Sequence, residues 1–260
     1  MLDARDIRVR IGRKDILHGI RFCAPAGAVT AIVGPNGSGK STLLKSITGE
    51  IDHTGKVEIN EEDTARMTPW ALAAVRAVLP QATTLAFPFT VIEVVRMGLR
   101  AGVSGNRPDL CRRALQAVGL AGYENRFYQE LSGGEQQRAQ LARVLCQVWD
   151  PVLDGAPRWL LLDEPVASLD IGHQLLVMRL LRDYAQRGGG VIAVMHDLNL
   201  SAMFADRMAL VVQGALRACG SPAEVMRDDV LSQAYGCALR VNLPPQPGQS
   251  FILPHVAETP

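Results

Sequence analysis

The sequence predicts an α/β fold: a parallel sheet wound with crossover helices, flanked by antiparallel strands and interrupted by a helical stretch. Three observations carry this. Apolar runs without alternation, "AVTAIV" (Ala28–Val33), "WLLLDEP" (Trp159–Pro165) and "GVIAVMHD" (Gly190–Asp197), read as strands buried on both faces. Helical patterns lie between and after them, such as "HQLLVMRLLRDYAQR" from His173 to Arg187. A glycine-rich turn, "GPNGSGKST" from Gly34 to Thr42, joins the first run to a helix that starts near Lys40.

The remaining elements follow in order. "DIRVRI" and "KVEIN" alternate between polar and apolar residues, and "MALVVQGALRACG" has a glycine between two apolar arms. These three are expected to be antiparallel strands beside the parallel sheet. From Phe87 to Asp150 the pattern is mostly helical, in "TVIEVVRMGLRAG", "PDLCRRALQAVGL" and "GGEQQRAQLARVLCQV". The expected organisation is a core from residues 1–86 and 159–236, an inserted helical subdomain at 87–158 and a C-terminal extension at 237–260, where "PPQPGQ" is irregular. There is no internal repeat.

Composition excludes several classes. With 48% hydrophobic and 20% charged residues the chain can bury a core, so wholesale disorder is excluded. A net charge of +1 argues against a nucleic-acid partner. Nearly all the positive charge is arginine, which reads as compositional bias and not as a site. The five cysteines are odd in number and none is paired as CxxC, against a disulfide framework or a zinc site. "MLDARDIRVRIGRKD" is not a signal peptide, and no apolar run approaches the ~20 residues that span a bilayer. The expectation is a cytosolic protein, or one peripheral to a membrane on its cytosolic side.

Gly34, Gly39, Lys40 and Ser41 fit GxxxxGK[ST] with a strand before and a helix after, the setting that a phosphate-binding loop requires. Its residues are Gly34, Pro35, Asn36, Gly37, Ser38, Gly39, Lys40, Ser41 and Thr42. The glycines let backbone N–H groups wrap phosphate oxygens, and the helix dipole favours an anion. Lys40 neutralises the β and γ phosphates; the Ser41 hydroxyl suits Mg2+. Hydrolysis also needs a carboxylate near the metal and a group that orients water. "LLLDE" supplies both: Asp163 for the Mg2+ shell and Glu164 as general base. His196 follows the next strand, and strand C-terminal ends of a parallel sheet converge on one edge, so it can face the same γ-phosphate. A lone histidine is more often structural. Gln81, in "VLPQATT", reads by itself as a solvated loop residue.

A second glycine-rich loop, "LSGGEQQR" from Leu131 to Arg138, lacks a lysine. Ser132 with Glu135 three residues on fits a capping box, the ordinary start of a helix. The same free N–H groups, two glycines and a serine hydroxyl also suit an anion. Such a loop could complete an ATP site but not make one.

"GPNGSGKST", "LSGGEQQR", "LLLDEP", "SLD" and "HD", in this order and spacing, resemble the ATP-binding subunits of ABC transporters, over most of the chain to about Gly236. "LSGGEQQR" is highly specific to that family. The resemblance implies a P-loop NTPase, with a RecA-like parallel-sheet core, that hydrolyses ATP with Mg2+ to drive a permease. It also implies a head-to-tail homodimer in which Ser132, Gly133 and Gly134 of one chain complete the site on the P-loop of the other. By position, Ser168 and Asp170 match the loop that crosses the dimer interface, and His196 matches the switch histidine. Gln81 matches the loop that senses Mg2+ and the γ-phosphate and touches the membrane subunit. Ile11, in "VRIGRKDIL", stands where the family stacks an aromatic on adenine; it can pack on the base but not stack as an aromatic does.

"HDLNLSAMFADR", "SLDIGHQ" and "QAYGCALRVNLPPQPGQSFILP" resemble the importers of iron-siderophores, haem and vitamin B12. "LPQATTLAFPFTVIEVVRMG" and the extra stretch "VWDPVLDGAPRW" resemble the haem-import members most. The implied place is the cytoplasmic face of a bacterial inner membrane, against transmembrane permease subunits, with a periplasmic substrate-binding protein as an indirect partner. "FPFTV", just after Gln81, sits where a surface for the membrane partner would lie. The alternatives are a siderophore or cobalamin importer; a non-transport ABC ATPase on DNA or ribosomes, which usually carries two cassettes or long basic segments; and a small-molecule kinase, which would not need "LSGGEQQR".

Overall fold

The computed structural model describes residues 1–81, 85–103, 105–245, 248, 250 and 252. The expectations placed on "ATT" after Gln81 and on most of the extension beyond residue 245 therefore lie outside the described residues.

Leu2–Ile11 (β1) and Lys14–Ala24 (β2) form an antiparallel hairpin that turns at Gly12, φ 60°. Val29–Val33 (β3) enters the core and Lys40–Thr48 (α1) follows it. Thr54–Ile59 (β4) returns antiparallel to β1, and Glu62–Asp63 (β5) pairs with β4. The alternation in "DIRVRI" is thus sheet periodicity: Ile7 and Val9 are buried while Arg8 and Arg10 are exposed. Next come Pro69–Val75 (α2), Arg76–Leu79 (β6), Val91–Ala101 (α3), Asp109–Ala117 (α4) and Gly133–Gln147 (α5). The stretch "VWDPVLDGAPRW" carries a small hairpin, Val152–Leu153 (β7) and Ala156–Pro157 (β8). Asp154 and Gly155 between them both have positive φ, as a two-residue Asp-Gly hairpin turn demands. The chain continues through Trp159–Asp163 (β9), Ile171–Gln186 (α6), Gly190–Val194 (β10), Leu198–Phe204 (α7), Arg207–Val212 (β11), Ala215–Gly220 (β12), Pro222–Val225 (α8) and Asp228–Tyr235 (α9).

The larger sheet has the order β12-β11-β3-β10-β9-β6, parallel throughout except for β12 at one edge. This corrects one expectation. "MALVVQGALRACG" does form a hairpin, turning at Gln213 and Gly214, but it does not join the antiparallel sheet. Its first arm pairs parallel with β3. A glycine turn fixes only how two arms pair with each other. The other neighbour of β11 is chosen by its run Met208–Val211, apolar on both faces and fully buried, which needs an interior position.

The continuous apolar runs hide a strict alternation of faces. Leu160 and Leu162 of β9 pack into one core, under the helices α3–α6, while Trp159 and Leu161 pack into a second core against α1 and the antiparallel sheet. Val191 and Ala193 of β10 divide from Ile192 and Val194 in the same way. Truncating any one of these, for example Leu161→Ala, removes packing from a fully buried site at a cost of about 2–5 kcal/mol.

Several arginines are structural. Arg76 donates to the carbonyls of Ile47 (3.0 Å) and Thr48 (2.7 Å) at the end of α1. Arg158, fully buried, donates to Ala74 (2.8 Å) and Gln147 (2.7 Å) near the ends of α2 and α5. Arg138 donates to Val118 and Gly119, both at 3.0 Å, just past α4. Each guanidinium satisfies carbonyls that a helix leaves unpaired and meets the negative end of its dipole. Burial lowers the pKa of all three.

Because β3, β6, β9 and β10 run parallel in register, their C-terminal ends meet at one edge. Val194 lies opposite both Ile32 and Asp163. The loops that leave these four strands carry the P-loop, Gln81, Glu164 and His196 respectively.

Candidate active site

The P-loop is built on three glycines of positive φ: Gly34 (145°), Gly37 (72°) and Gly39 (103°). At Gly34 a Cβ would collide with the carbonyl of Val211, and at Gly39 it would lie 2.9 Å from Leu17 Cδ2. Gly214 N–H donates to the Ser38 carbonyl at 2.8 Å, so the β11–β12 turn buttresses the loop from behind. Nothing local in the sequence announces that contact. Asn36 and Gly37 reach the surface, while Ser38 and Lys40 are buried. Helix α1 begins at Lys40 without a side-chain cap or an acid in its first turn, which leaves its N–H groups for an anion. Lys40 Nζ donates to the carbonyls of Gly34 (2.8 Å) and Pro35 (3.0 Å), inside the loop. Burial pulls its pKa down, and the carboxylates of Glu164 and Asp163 act against that.

Ser41, in the first turn of α1, donates its hydroxyl to Asp163 Oδ1 at 3.0 Å. Asp163 is buried, and its Oδ2 has no hydrogen-bond partner. Burial raises its pKa above the usual carboxylate value, against the Ser41 hydrogen bond, which lowers it. A buried carboxylate oxygen left unpaired is costly unless something cationic meets it. A hydroxyl and a carboxylate together are the hard-oxygen donors that Mg2+ prefers.

Glu164 follows directly, at φ 53°. A residue other than glycine in that region costs about 1–3 kcal/mol and is held only by its surroundings. Its Oε1 accepts from Gln81 Nε2 at 3.1 Å and lies 2.5 Å from His196 Nε2. Its Oε2 has no hydrogen bond among the described residues, so two donors steady the carboxylate while one oxygen stays available to a water. Gln81, which reads in isolation as a solvated loop residue, belongs to this cluster.

Ser132 is the N-cap of α5, and its capping box with Glu135 is complete: Ser132 N–H donates to Glu135 Oε2 at 2.8 Å and Glu135 N–H to Ser132 Oγ at 3.3 Å. The Ser132 N–H and the Ser132 hydroxyl, which also donates to Glu135 Oε2 at 2.8 Å, lower the pKa of the Glu135 carboxyl. Gly133 is exposed, its φ is not positive, and a Cβ there would meet nothing within 4 Å. At Gly134 a Cβ would lie 2.9 Å from the Ser168 carbonyl, so that glycine lets α5 approach the loop after Glu164. No hydrogen bond joins Ser132, Gly133 or Gly134 to the P-loop of the same chain among the described residues. Asp170 is the N-cap of α6, accepting from His173 N–H (2.9 Å) and facing His173 Nδ1 (2.8 Å). Ile11 lies exposed beside the Gly12 turn. Two residues of this neighbourhood escape a reading of the sequence. Gln137 reaches Glu164, and Gly214 supports the P-loop.

The family described as "ABC transporter" matches residues 17–167, more than half of the chain. The chain belongs to the ABC transporter family. Curated relatives agree along its whole length. The chain is 64% identical to the "Hemin import ATP-binding protein HmuV" of Roseobacter denitrificans, with 98% of each chain covered. It is 60% identical to the protein of that name from Jannaschia sp., with 99% of this chain and 95% of the relative covered. Among solved structures, an ATP-binding subunit of an ABC transporter superposes with a TM-score of 0.78 at 21% identity, over 90% of this chain and 98% of that one. A dimeric post-hydrolysis ATP-binding cassette bound to ADP and Pi gives 0.73 at 24% identity, over 85% of this chain and 99% of that one. At these identities the structures show the fold alone. The ABC cassette described here is thus a P-loop NTPase and an ATPase. Among its described residues, no helix is long and apolar enough to cross a membrane.

Proposed function

We propose that this chain is the ATP-hydrolysing subunit of a haem importer, working as a homodimer on the cytoplasmic face of a bacterial inner membrane. The observation that carries the chemistry is the Glu164 carboxylate, bonded to Gln81 and His196 and one residue from the Ser41–Asp163 pair. The P-loop amides and Lys40 bind the phosphates. Ser41, Gln81 and Asp163 would hold Mg2+, which supplies charge neutralisation of the phosphates. Glu164 Oε2 takes a proton from the attacking water, and His196 fixes the carboxylate and the γ-phosphate geometry.

Ser132, Gly133 and Gly134 of each chain cap the ATP held by its partner, and Ser168 and Asp170 lie at that interface. A twofold dimer then contains two equivalent sites. Support comes from the open space at Gly133, where a Cβ would meet no atom of the described residues within 4 Å. Ile11 contributes apolar contact beneath adenine. Residues 87–158 form the helical subdomain between core segments 1–86 and 159–236, with 237–260 as an extension. Phe87, 67% exposed after Gln81, suits a permease contact, and a periplasmic binding protein would act only through that permease.

The cargo rests on the relatives named for hemin import. The test is uptake in cells that lack this chain but keep its permease: restoring the chain should restore growth on haem as sole iron source. Uptake of a ferric siderophore or of cobalamin instead would reassign the cargo without touching the ATPase.

A further inference from the structure

We propose that Gln137 is a positioning residue for hydrolysis, acting on Glu164 of its own chain. Its side-chain amide is used at both ends. Nε2 donates to the Glu164 carbonyl at 2.6 Å, and Oε1 accepts from the Ser168 N–H at 3.2 Å. A primary amide offers both; a carboxylate lacks the donor, and a thioether lacks the donor and is only a weak acceptor. The carbonyl it holds belongs to a residue at φ 53°, a conformation that needs external support. The rest of that support is backbone: Glu164 N–H to Val194 at 3.2 Å and Ala167 N–H to Glu164 at 3.3 Å. Gln137 is the single side chain bonded to the Glu164 main chain among the described residues. The other side of Glu164 opens on a cleft of about 390 Å3, shared with Gln81, Gln137 and Ser168, so close packing does not fix the base there.

Gln137 stands in the second turn of α5, whose N-cap is Ser132. Given the two-chain site proposed above, on which this inference rests, one short segment serves two ATP molecules. Ser132 and Gly133 meet the ATP of the partner, while Gln137 sets the base for the ATP of its own chain.

The test starts with Gln137→Met and Gln137→Glu in the full-length chain. Both should lower kcat by about 100-fold, the scale of a small misplacement of a catalytic group. Nucleotide affinity and the thermal midpoint should stay near wild type, which a merely structural glutamine would not allow. Unchanged kcat overturns the assignment outright, whatever the assembly. Mixed dimers of two differently tagged chains then separate action on the own site from action on the partner's. With Ser132→Arg on one chain and Gln137→Met on the other, both lesions fall on one site and the second site should still turn over. With both substitutions on one chain and none on the other, each site carries a lesion and turnover should be lost. The opposite pattern would place the effect of Gln137 on the partner's ATP and overturn the proposal. Glu164→Gln in place of Gln137→Met calibrates the assay. If it gives the reverse pattern, with turnover lost when the substitutions are split between the chains and kept when one chain carries both, Ser132 acts on the ATP of its own chain; the two-chain site is then wrong and the proposal falls with it for that separate reason.

Discussion

The chain carries two glycine-rich loops that lead into helices, and they are built on different physics. The loop at Gly34–Thr42 is a cradle: three glycines of positive φ bend it, Lys40 is buried within it, and Val211 and Gly214 close it from behind. The loop at Leu131–Arg138 is a helix start. Its glycines do not need positive φ, and its first N–H is taken by Glu135. The first requires its glycines in order to fold. The second requires Gly134 for packing on Ser168, whereas a Cβ at Gly133 would meet nothing within 4 Å among the described residues. The two-chain site proposed above gives Gly133 its use, as the point where the partner's ATP would approach.

Glu164→Gln should cut steady-state hydrolysis by about 100-fold or more while ATP still binds. Near-normal turnover would show that the base lies elsewhere. Ser132→Arg should abolish hydrolysis yet leave ATP affinity of the isolated chain unchanged in a fluorescent-nucleotide titration; lost affinity would mean that the second loop belongs to the site of its own chain. Asp163→Asn should separate function from stability. The Asp163 pKa is raised, so the neutral form is favoured on folding, and the penalty for the charged form sets in as pH rises through that raised value. At neutral pH the asparagine variant should therefore melt higher than wild type in the absence of metal, while losing its Mg2+-dependent activity. Gly133→Ala should shift stability by less than about 1 kcal/mol. Yet it should slow turnover, because the new methyl meets the partner's phosphate; full activity would remove the external reason for that glycine. Ile11→Tyr should tighten ATP binding by about fivefold, the scale of one aromatic stack. No change would place adenine away from that side chain.

Legibility in the sequence tracked distance along the chain. The P-loop, the Asp163–Glu164 pair and the Ser132–Glu135 capping box are set by neighbours a few residues apart, and all three stand where their motifs put them. The fully buried strands were readable because parallel strands hide both faces. Gln81 was opaque by itself, since its partner Glu164 lies 83 residues away. Gln137 was hidden inside a motif that explained it as a helix residue. The parallel pairing of β11 was missed because a glycine turn describes a hairpin and not the sheet that the hairpin joins. Arginine read as compositional bias was in part a set of helix caps, a role that needs the packed helix ends to be seen.

The most direct measurement of the central claim is a crystal structure of the Glu164→Gln chain with ATP and Mg2+. The expected result is a twofold dimer holding two ATP molecules, each γ-phosphate in hydrogen-bond contact with the P-loop of one chain and with Ser132 of the other. ATP bound with Ser132 of its own chain against the γ-phosphate, or a monomer with a complete site, would contradict it.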